Sequence, residues 1–425
     1  MVIGLSLFAL FLVLGMPVFV ALTASGAYMG LFVLGLPVST FAQQFYVSMD
    51  VFVLMAVPYF IFSGNIMLHC GPSAYLFRFL DAMVGHLPGG IAAAAVMACM
   101  IFGALSGSGI ATVAAVGAIA IPEMLRQGYD KKGSMGLIVC SGTLGQMIPP
   151  SIYMVLFATL VQGDVSTYFV AGVIPGILVG VFLIVVAVVR ARRLGMQGKP
   201  AASWAERFTT FKKAFPVLLM PPVVLGGIYG GIFTPTEAAA VSIVYSLLVS
   251  KFLFRTLTME NFLLSARDAI ISTAVIFIIL GGATMMAVMV TYLKVPQALM
   301  AGITELGLSP LMLLLAIIAL FFVLGMVMDP VPIMYITIPI LLPVLIEAQI
   351  NLLHFSVITV AAMMVAQATP PFGMALFAMS GMFREPISAV VRGTLPFLVV
   401  LMICTLIIVF IPELSLFLPD LMNAR

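Results

Sequence analysis

Between Ile91 and Ile121 two apolar stretches, 91–102 and 110–121, flank a polar break, Gly103-Ala104-Leu105-Ser106-Gly107-Ser108-Gly109. Each stretch is too short to cross a bilayer alone, since a helical span takes roughly 20 residues. Glycine and serine at the break open the helix and free backbone carbonyls and amides. At membrane depth such groups survive only buried in protein or lining a wet cavity. The chain is therefore a membrane protein whose interior, rather than its surface, holds the unusual backbone. Composition agrees: 63% of the 425 residues are hydrophobic, 8% are charged and the mean hydropathy is +1.27, against about 25% charged in soluble domains. The apolar runs are continuous, not alternating, which excludes a β-barrel. The expected fold class is an all-α polytopic membrane protein with room for about ten to twelve spans or half-spans.

The breaks recur. Gly136 to Ile148 is a second half-length piece ending at Pro149-Pro150-Ser151, where successive prolines oppose a continuous helix. Leu311 to Met328 runs into Asp329-Pro330-Val331-Pro332, and Phe355 to Ala366 into Thr369-Pro370-Pro371-Phe372-Gly373. They come in pairs at one shift: Pro122 and Pro343, Pro149 and Pro370, Pro150 and Pro371, Gly172 and Gly393, and Pro175 and Pro396 all stand 221 residues apart. The same shift lays Ser108 over Asp329, Gly145 over Ala366 and Ile148 over Thr369. We therefore divide the chain into a first repeat, residues 1–189, with breaks at 103–109 and 145–151, and a second, 215–425, with breaks at 325–332 and 366–373. Between them, 190–214 carries seven of the chain's 18 Lys and Arg, with the lone tryptophan, Trp204. By the positive-inside rule this linker is cytoplasmic, and an amphipathic surface helix is expected there. With an odd number of crossings in each half, the repeats are inverted. Paired breaks in corresponding positions are the sequence mark of a transport site.

Unpaired carbonyls with a hydroxyl suit a hard cation such as Na⁺, and a proline adds to them because its missing N–H leaves an earlier carbonyl unbonded. One candidate set is Gly103, Ser106, Gly145, Ile148 and Pro150; the repeat predicts another from Gly325, Ala366, Thr369 and Phe372. The alternative for each is a hinge or close helix contact without an ion. Asp329 is either a functional carboxylate or an acid at the water interface, because a charge at membrane depth is costly. The helix after Ser108 offers free amides and a positive dipole end to an anion, most simply a carboxylate, with Ser108 and Thr112 as donors. Ser108, Thr112 and Asp329 are thus the candidate substrate contacts. Asn65 is expected either to bond between helices or to line a cavity. Glu237, in Thr234-Pro235-Thr236-Glu237, is expected to cap a helix. Cys70, Cys99, Cys140 and Cys404 read as small buried hydrophobes, and Met1 to Pro37 as retained membrane helix. His69, His86 and His354 lie outside the breaks, and no nucleophile, base and orienter cluster points to an enzyme. Nothing points to nucleic acid. A channel would not need two paired sites, and a proton antiporter would need a titratable pair where only Asp329 stands.

At these breaks the chain resembles the large membrane subunit of the tripartite ATP-independent periplasmic (TRAP) transporters. The resemblance runs through Gly15-Met16-Pro17, Pro58-Tyr59-Phe60 with Gly64-Asn65, Ser106-Gly107-Ser108 with Ala111-Thr112, Ile121-Pro122-Glu123-Met124 with Gly128-Tyr129, Ile148-Pro149-Pro150-Ser151-Ile152, Gly231 to Ala239, Met328-Asp329 and Thr369 to Gly373. Gly109 departs from it, where the family more often has a third small polar residue. The resemblance implies an elevator-type secondary transporter of the bacterial inner membrane, driven by two or more co-transported Na⁺ ions at the two sets above. It implies a small four-helix membrane subunit and a periplasmic substrate-binding protein as partners. It also implies an organic-acid substrate, of the sialic acid or C4-dicarboxylate class. A stand-alone permease or Na⁺/H⁺ antiporter of related architecture is the alternative.

Overall fold

The computed structural model describes residues 2–305, 307–371 and 373–423, which form twenty α-helices and no strand. The first half holds α1 (Val2–Val13), α2 (Val18–Tyr28), α3 (Val38–Met49), α4 (Ala56–His69), α5 (Pro72–Val84), α6 (Gly90–Ser106), α7 (Gly109–Arg126), α8 (Lys131–Gly142), α9 (Ile152–Leu160) and α10 (Val165–Arg193). The second holds α11 (Trp204–Tyr229), α12 (Pro235–Leu248), α13 (Met259–Tyr292), α14 (Val295–Glu305), α15 (Pro310–Gly325), α16 (Pro330–Glu347), α17 (Leu352–Gln367), α18 (Met374–Phe383), α19 (Ile387–Phe410) and α20 (Glu413–Asn423). Among the described residues, eight helical segments are long and apolar enough to cross a membrane, and five shorter apolar ones accompany them.

The helix map repeats as the prolines do. α7 and α16 begin 221 residues apart and end 221 residues apart. Their N-caps correspond as well, Ser108 to Asp329, and so do those of α8 and α17, Asp130 to Asn351. The same shift carries α3 and α4 onto the two ends of α13, one unbroken helix of 34 residues. The symmetry of the sequence is therefore relaxed at that point in the fold.

Polar contacts at the helix ends fix the relative orientation of the halves. Lys131, at the start of α8, pairs with Glu385 just before α19 at 2.6 Å. Asp130 pairs with Arg190, at the end of α10, at 3.3 Å. These helix ends share one face. α19, with 24 residues, is about 36 Å long at 1.5 Å per residue, so α20 lies at the other face. There Ser415 of α20 meets His354 Nδ1, in the first turn of α17, at 3.2 Å. Equivalent ends of α8 and α17 thus lie on opposite sides, and the repeats are inverted. Arg126, Lys131, Lys132, Arg190, Arg192, Arg193 and Lys199 gather at the α8 end.

The linker is tied down rather than loose. The Lys199 ammonium meets Asp81 of α5 at 2.8 Å and Glu123 of α7 at 2.7 Å, and its N–H donates to the Gly85 carbonyl at 2.9 Å. Partial burial pulls the Lys199 pKa down, but the hydrogen bonds and charges of the two carboxylates outweigh it and hold the group above its ordinary range. Trp204 does not open a separate surface helix; it starts α11, which continues through Lys212 and Lys213 to Tyr229. That helix also carries Pro221-Pro222 in its interior, so paired prolines do not by themselves break a membrane helix. The neighbouring α12 supports this helix, the Tyr245 hydroxyl donating to the Pro216 carbonyl at 2.7 Å. Glu237 closes a capping box with Thr234, and all four cysteines are buried.

α8 and α19 cross with no room for side chains. A Cβ on Gly136 would lie 2.1 Å from the Gly393 carbonyl carbon, and one on Gly393 would lie 1.9 Å from the Lys132 carbonyl oxygen. Small residues at such crossings let helix backbones pack closely in lipid. Gly393→Ala is expected to cost about 1–3 kcal/mol, as overpacking typically does. Gly226→Ala, where an added methyl meets nothing within 4 Å, should be neutral. Thermal unfolding of the purified protein in one detergent compares the two, and an equal melting temperature would contradict the tight crossing.

Candidate functional site

The first break is a hairpin tip. α6 ends at Ser106, Gly107 turns the chain at φ +62, and α7 starts at Gly109. A side chain at Gly107 would also press on the Pro150 carbonyl, 3.0 Å from its Cβ, so glycine is required twice over. Consecutive α6 and α7 pack against each other. Ser108 caps α7 by accepting the Ala111 N–H at 3.4 Å. Behind it the Thr112 hydroxyl donates to the Ser108 carbonyl at 2.8 Å and lies 3.1 Å from Ser106 Oγ, which accepts the Ser108 N–H at 3.4 Å.

The second break comes up against this cluster. A Cβ on Gly103 would stand 2.5 Å from Gly145 Cα, and a Cβ on Gly145 would stand 2.9 Å from Thr112 Oγ1 and 3.2 Å from the Ser108 carbonyl oxygen. Pro149 has no N–H for the Gly145 carbonyl. Ser151 caps α9 through the Met154 N–H at 3.3 Å, and its hydroxyl donates to the Gln146 carbonyl. Gly103, Ser106 and Gly145 therefore converge, with Ile148 and Pro150 on the same break.

The second half repeats the arrangement with different side chains. A Cβ on Gly325 would lie 2.2 Å from Ala366 Cβ, matching the approach of Gly103 to Gly145. Thr369 donates to the Val365 carbonyl at 2.6 Å, and its own carbonyl accepts the Gly373 N–H at 3.1 Å. The Pro149–Pro150 and Pro370–Pro371 bonds are both cis. Phe372 lies outside the described residues. Asp329 is half-buried and caps α16, accepting the Val331 N–H at 3.1 Å.

The broken helices and the rest of the fold meet at a cavity of about 100 Å³, room for a few water molecules. Ser106, Ser108, Ala111, Ile152, Tyr153 and Val331 form one wall; Ile61 and Asn65 of α4 with Ser272 and Ile276 of α13 form the other. Of the expected substrate contacts, Ser108 lines this cavity. Thr112 is fully buried and turns its hydroxyl to Ser106 and Ser108 instead. Asp329 is two residues from Val331 on the wall. Asn65 lines the cavity, and its carbonyl accepts the Ser265 hydroxyl at 3.2 Å.

Sequence reasoning missed Tyr153, Ser272 and a buried amide pair. Gln146 donates from Nε2 to Gln367 Oε1. These two residues are themselves 221 apart, so the repeat shift held the signal; Tyr153 and Ser272 reach the cavity through packing alone.

Residues 5–414 match the family model for the DctM component of tripartite ATP-independent periplasmic transporters. The chain belongs to this family. It is 40% identical to the C4-dicarboxylate TRAP transporter large permease protein DctM of Pseudomonas aeruginosa, over 90% of each chain. It is 34% identical to the ectoine TRAP transporter large permease TeaC of Halomonas elongata, over 96% of each, and 34% identical to the sialic acid TRAP transporter large permease SiaM of Vibrio cholerae, over 89% of each. Among solved structures, the YdaH transporter of Alcanivorax borkumensis superposes with a TM-score of 0.62 at 14% identity, covering 96% of this chain and 98% of that one, a likeness of fold alone. The TRAP large permease is thus a multi-pass inner-membrane transport component and not an enzyme. Its family works with a small membrane subunit and a periplasmic binding protein.

Gly325→Ala should drive its methyl into Ala366 and cost about 1–3 kcal/mol. Adding Ala366→Gly should recover most of that loss, because the two methyls exchange places. Thermal unfolding of both singles and the double gives the coupling, and simple additivity would refute the contact.

Proposed function

We propose that this TRAP large permease imports an organic acid, of the C4-dicarboxylate or sialic acid class, together with two or more Na⁺ ions. The observation that carries the reading is the first break, where the Gly145 carbonyl meets no N–H at Pro149 and the backbone of Gly145 lies against the buried Thr112 hydroxyl, which meets that of Ser106, together with its repeat-related counterpart at 366–371. The first Na⁺ would be held by Gly103, Ser106, Gly145, Ile148 and Pro150. The second would be held by Gly325, Ala366, Thr369 and Phe372. Both ions are cargo: they enter with the substrate and leave with it. Their charge also offsets that of an anion brought close to Asp329.

The substrate carboxylate docks at the N-terminus of α7, where Ser108 faces the cavity and the helix dipole favours negative charge. Asp329 caps α16 beside the same cavity and discriminates against anions that arrive without Na⁺. Thr112 braces the Ser106–Ser108 turn from behind. The cavity wall is shared between the broken helices and the α4–α13 pair, so sliding one group past the other exposes the site alternately to each face. This is an elevator-like cycle. A periplasmic binding protein delivers the substrate, and the small four-helix subunit completes the membrane unit.

Proteoliposomes holding this chain and its small subunit, offered labelled succinate or sialic acid with the cognate binding protein, test the reading. Uptake is expected with an inward Na⁺ gradient and not with matched K⁺. Ser106→Ala and Thr369→Ala should each raise half-saturating Na⁺ about tenfold or more, as loss of a charge-assisted contact does. Uptake driven by a proton gradient alone, or without any binding protein, would overturn it in favour of an antiporter or stand-alone permease.

A further inference from the structure

Gln146 and Gln367 occupy the same place in the two repeats, and they touch. A contact between equivalent residues lies on the two-fold axis that relates the halves. Each glutamine follows directly on a proposed cation ligand, Gly145 in one half and Ala366 in the other. Each precedes its break's Pro-Pro pair by three residues. The bridge therefore joins the two broken segments where they depart from helix.

Its surroundings hold it in place. Both side chains are buried, Gln146 at 0% exposure and Gln367 at 2%. Gln367 Nε2 reaches the Tyr153 hydroxyl on the cavity wall at 3.4 Å. The first residue of α7 closes over the pair: a Cβ on Gly109 would lie 2.6 Å from Gln146 Nε2 and 3.4 Å from Gln367 Oε1. The missing side chain at 109 is what makes room for the bridge beside the Ser106–Ser108 turn. A movement of either break that displaces its glutamine thus pulls on the other break and on the hairpin tip.

We infer that the Gln146–Gln367 bridge is a positioning joint through which the two cation sites order one another, so that Na⁺ binds them as a coupled pair. The inference rests on the two Na⁺ sites proposed above. Neither glutamine need touch an ion. Each fixes the direction of the neighbouring carbonyls, and a break already ordered by its ion presents its partner with an aligned amide. Coupling of this kind is reciprocal and typically changes affinity by roughly 5- to 150-fold.

Hydrogen exchange read by mass spectrometry follows each break separately, in the full-length chain in lipid nanodiscs, titrated with NaCl against KCl. In the unmodified chain, peptides covering 143–151 and 366–373 should gain protection with Na⁺ at one shared midpoint. Thr369→Ala, which damages the second site, should then move the midpoint at 143–151 by roughly fivefold or more. In the Q146L/Q367L pair, which removes both partners and leaves neither glutamine orphaned, that shift should vanish while each break still responds to Na⁺. Q146N/Q367N, which keeps the amides but shortens both arms, should behave in the same way. If Thr369→Ala moves the first break equally with and without the bridge, the joint is refuted and the Na⁺ sites stand. If Na⁺ and K⁺ protect both breaks alike in the unmodified chain, the Na⁺ reading fails and the coupling falls with it.

Discussion

A backbone amide or carbonyl inside the bilayer must find a partner within the protein, because lipid offers none. This one requirement orders the fold. The four breaks pack against one another among the described residues: Gly103 on Gly145, Gly325 on Ala366, and Gln146 on Gln367. A hydroxyl takes over where a helix donor is missing, as Ser151 does for the Gln146 carbonyl, which faces Pro150, and Thr112 adds a second donor to the Ser108 carbonyl. Glycine at the contacts is the geometric condition for that arrangement, since a single methyl at 103 or 145 would separate the two backbones that shield one another.

Inversion of the repeats follows from the same logic. A hairpin tip needs a second break to cover it, and a two-fold related copy supplies one with the same shape. The axis passes through the glutamine pair, the point at which the chain makes the same contact from both sides. Away from the axis the copies diverge. Ser108 in one half corresponds to Asp329 in the other, two caps at equivalent positions that differ in charge and in the amide they accept, Ala111 N–H for one and Val331 N–H for the other. Gly145 corresponds to Ala366, so one contact is backbone on backbone and the other methyl on backbone.

The breaks and the repeat were legible in the sequence because proline and glycine leave marks that lipid-facing residues cannot erase. Glu237 could be read as a cap because Thr-Pro-x-Glu is a local pattern. Three things could not be read. The start of α13 at Met259 was not legible, because Glu260, Arg267 and Asp268 interrupt the apolar run that from Ala269 onward reads as a span. Pro221-Pro222 looks like a break and is not one, since nearby helices support the backbone. The His69–Asp268 pair, at 2.9 Å, joins residues 199 apart with no shared pattern. The cavity is hidden for the same reason: Ser272 is one serine among many until α13 brings it opposite Ser106 and Ser108.

The position of that cavity has a consequence of its own. Of its polar lining, Ser106, Ser108, Tyr153 and Asn65 come from the first half, and the second half adds Ser272 from the helix that has no counterpart as a single rod. A perfectly two-fold molecule would present the same face to the periplasm and to the cytoplasm, and would hold its cargo equally well from either. This chain keeps the symmetry where its breaks cover one another and abandons it at the cavity proposed to take the cargo. The two sides of the membrane therefore meet different walls, and affinity for the same molecule need not be equal on entry and exit. In a machine assembled from two matching halves, the part that does not match is what allows entry and exit to differ in affinity, while the gradients set the direction.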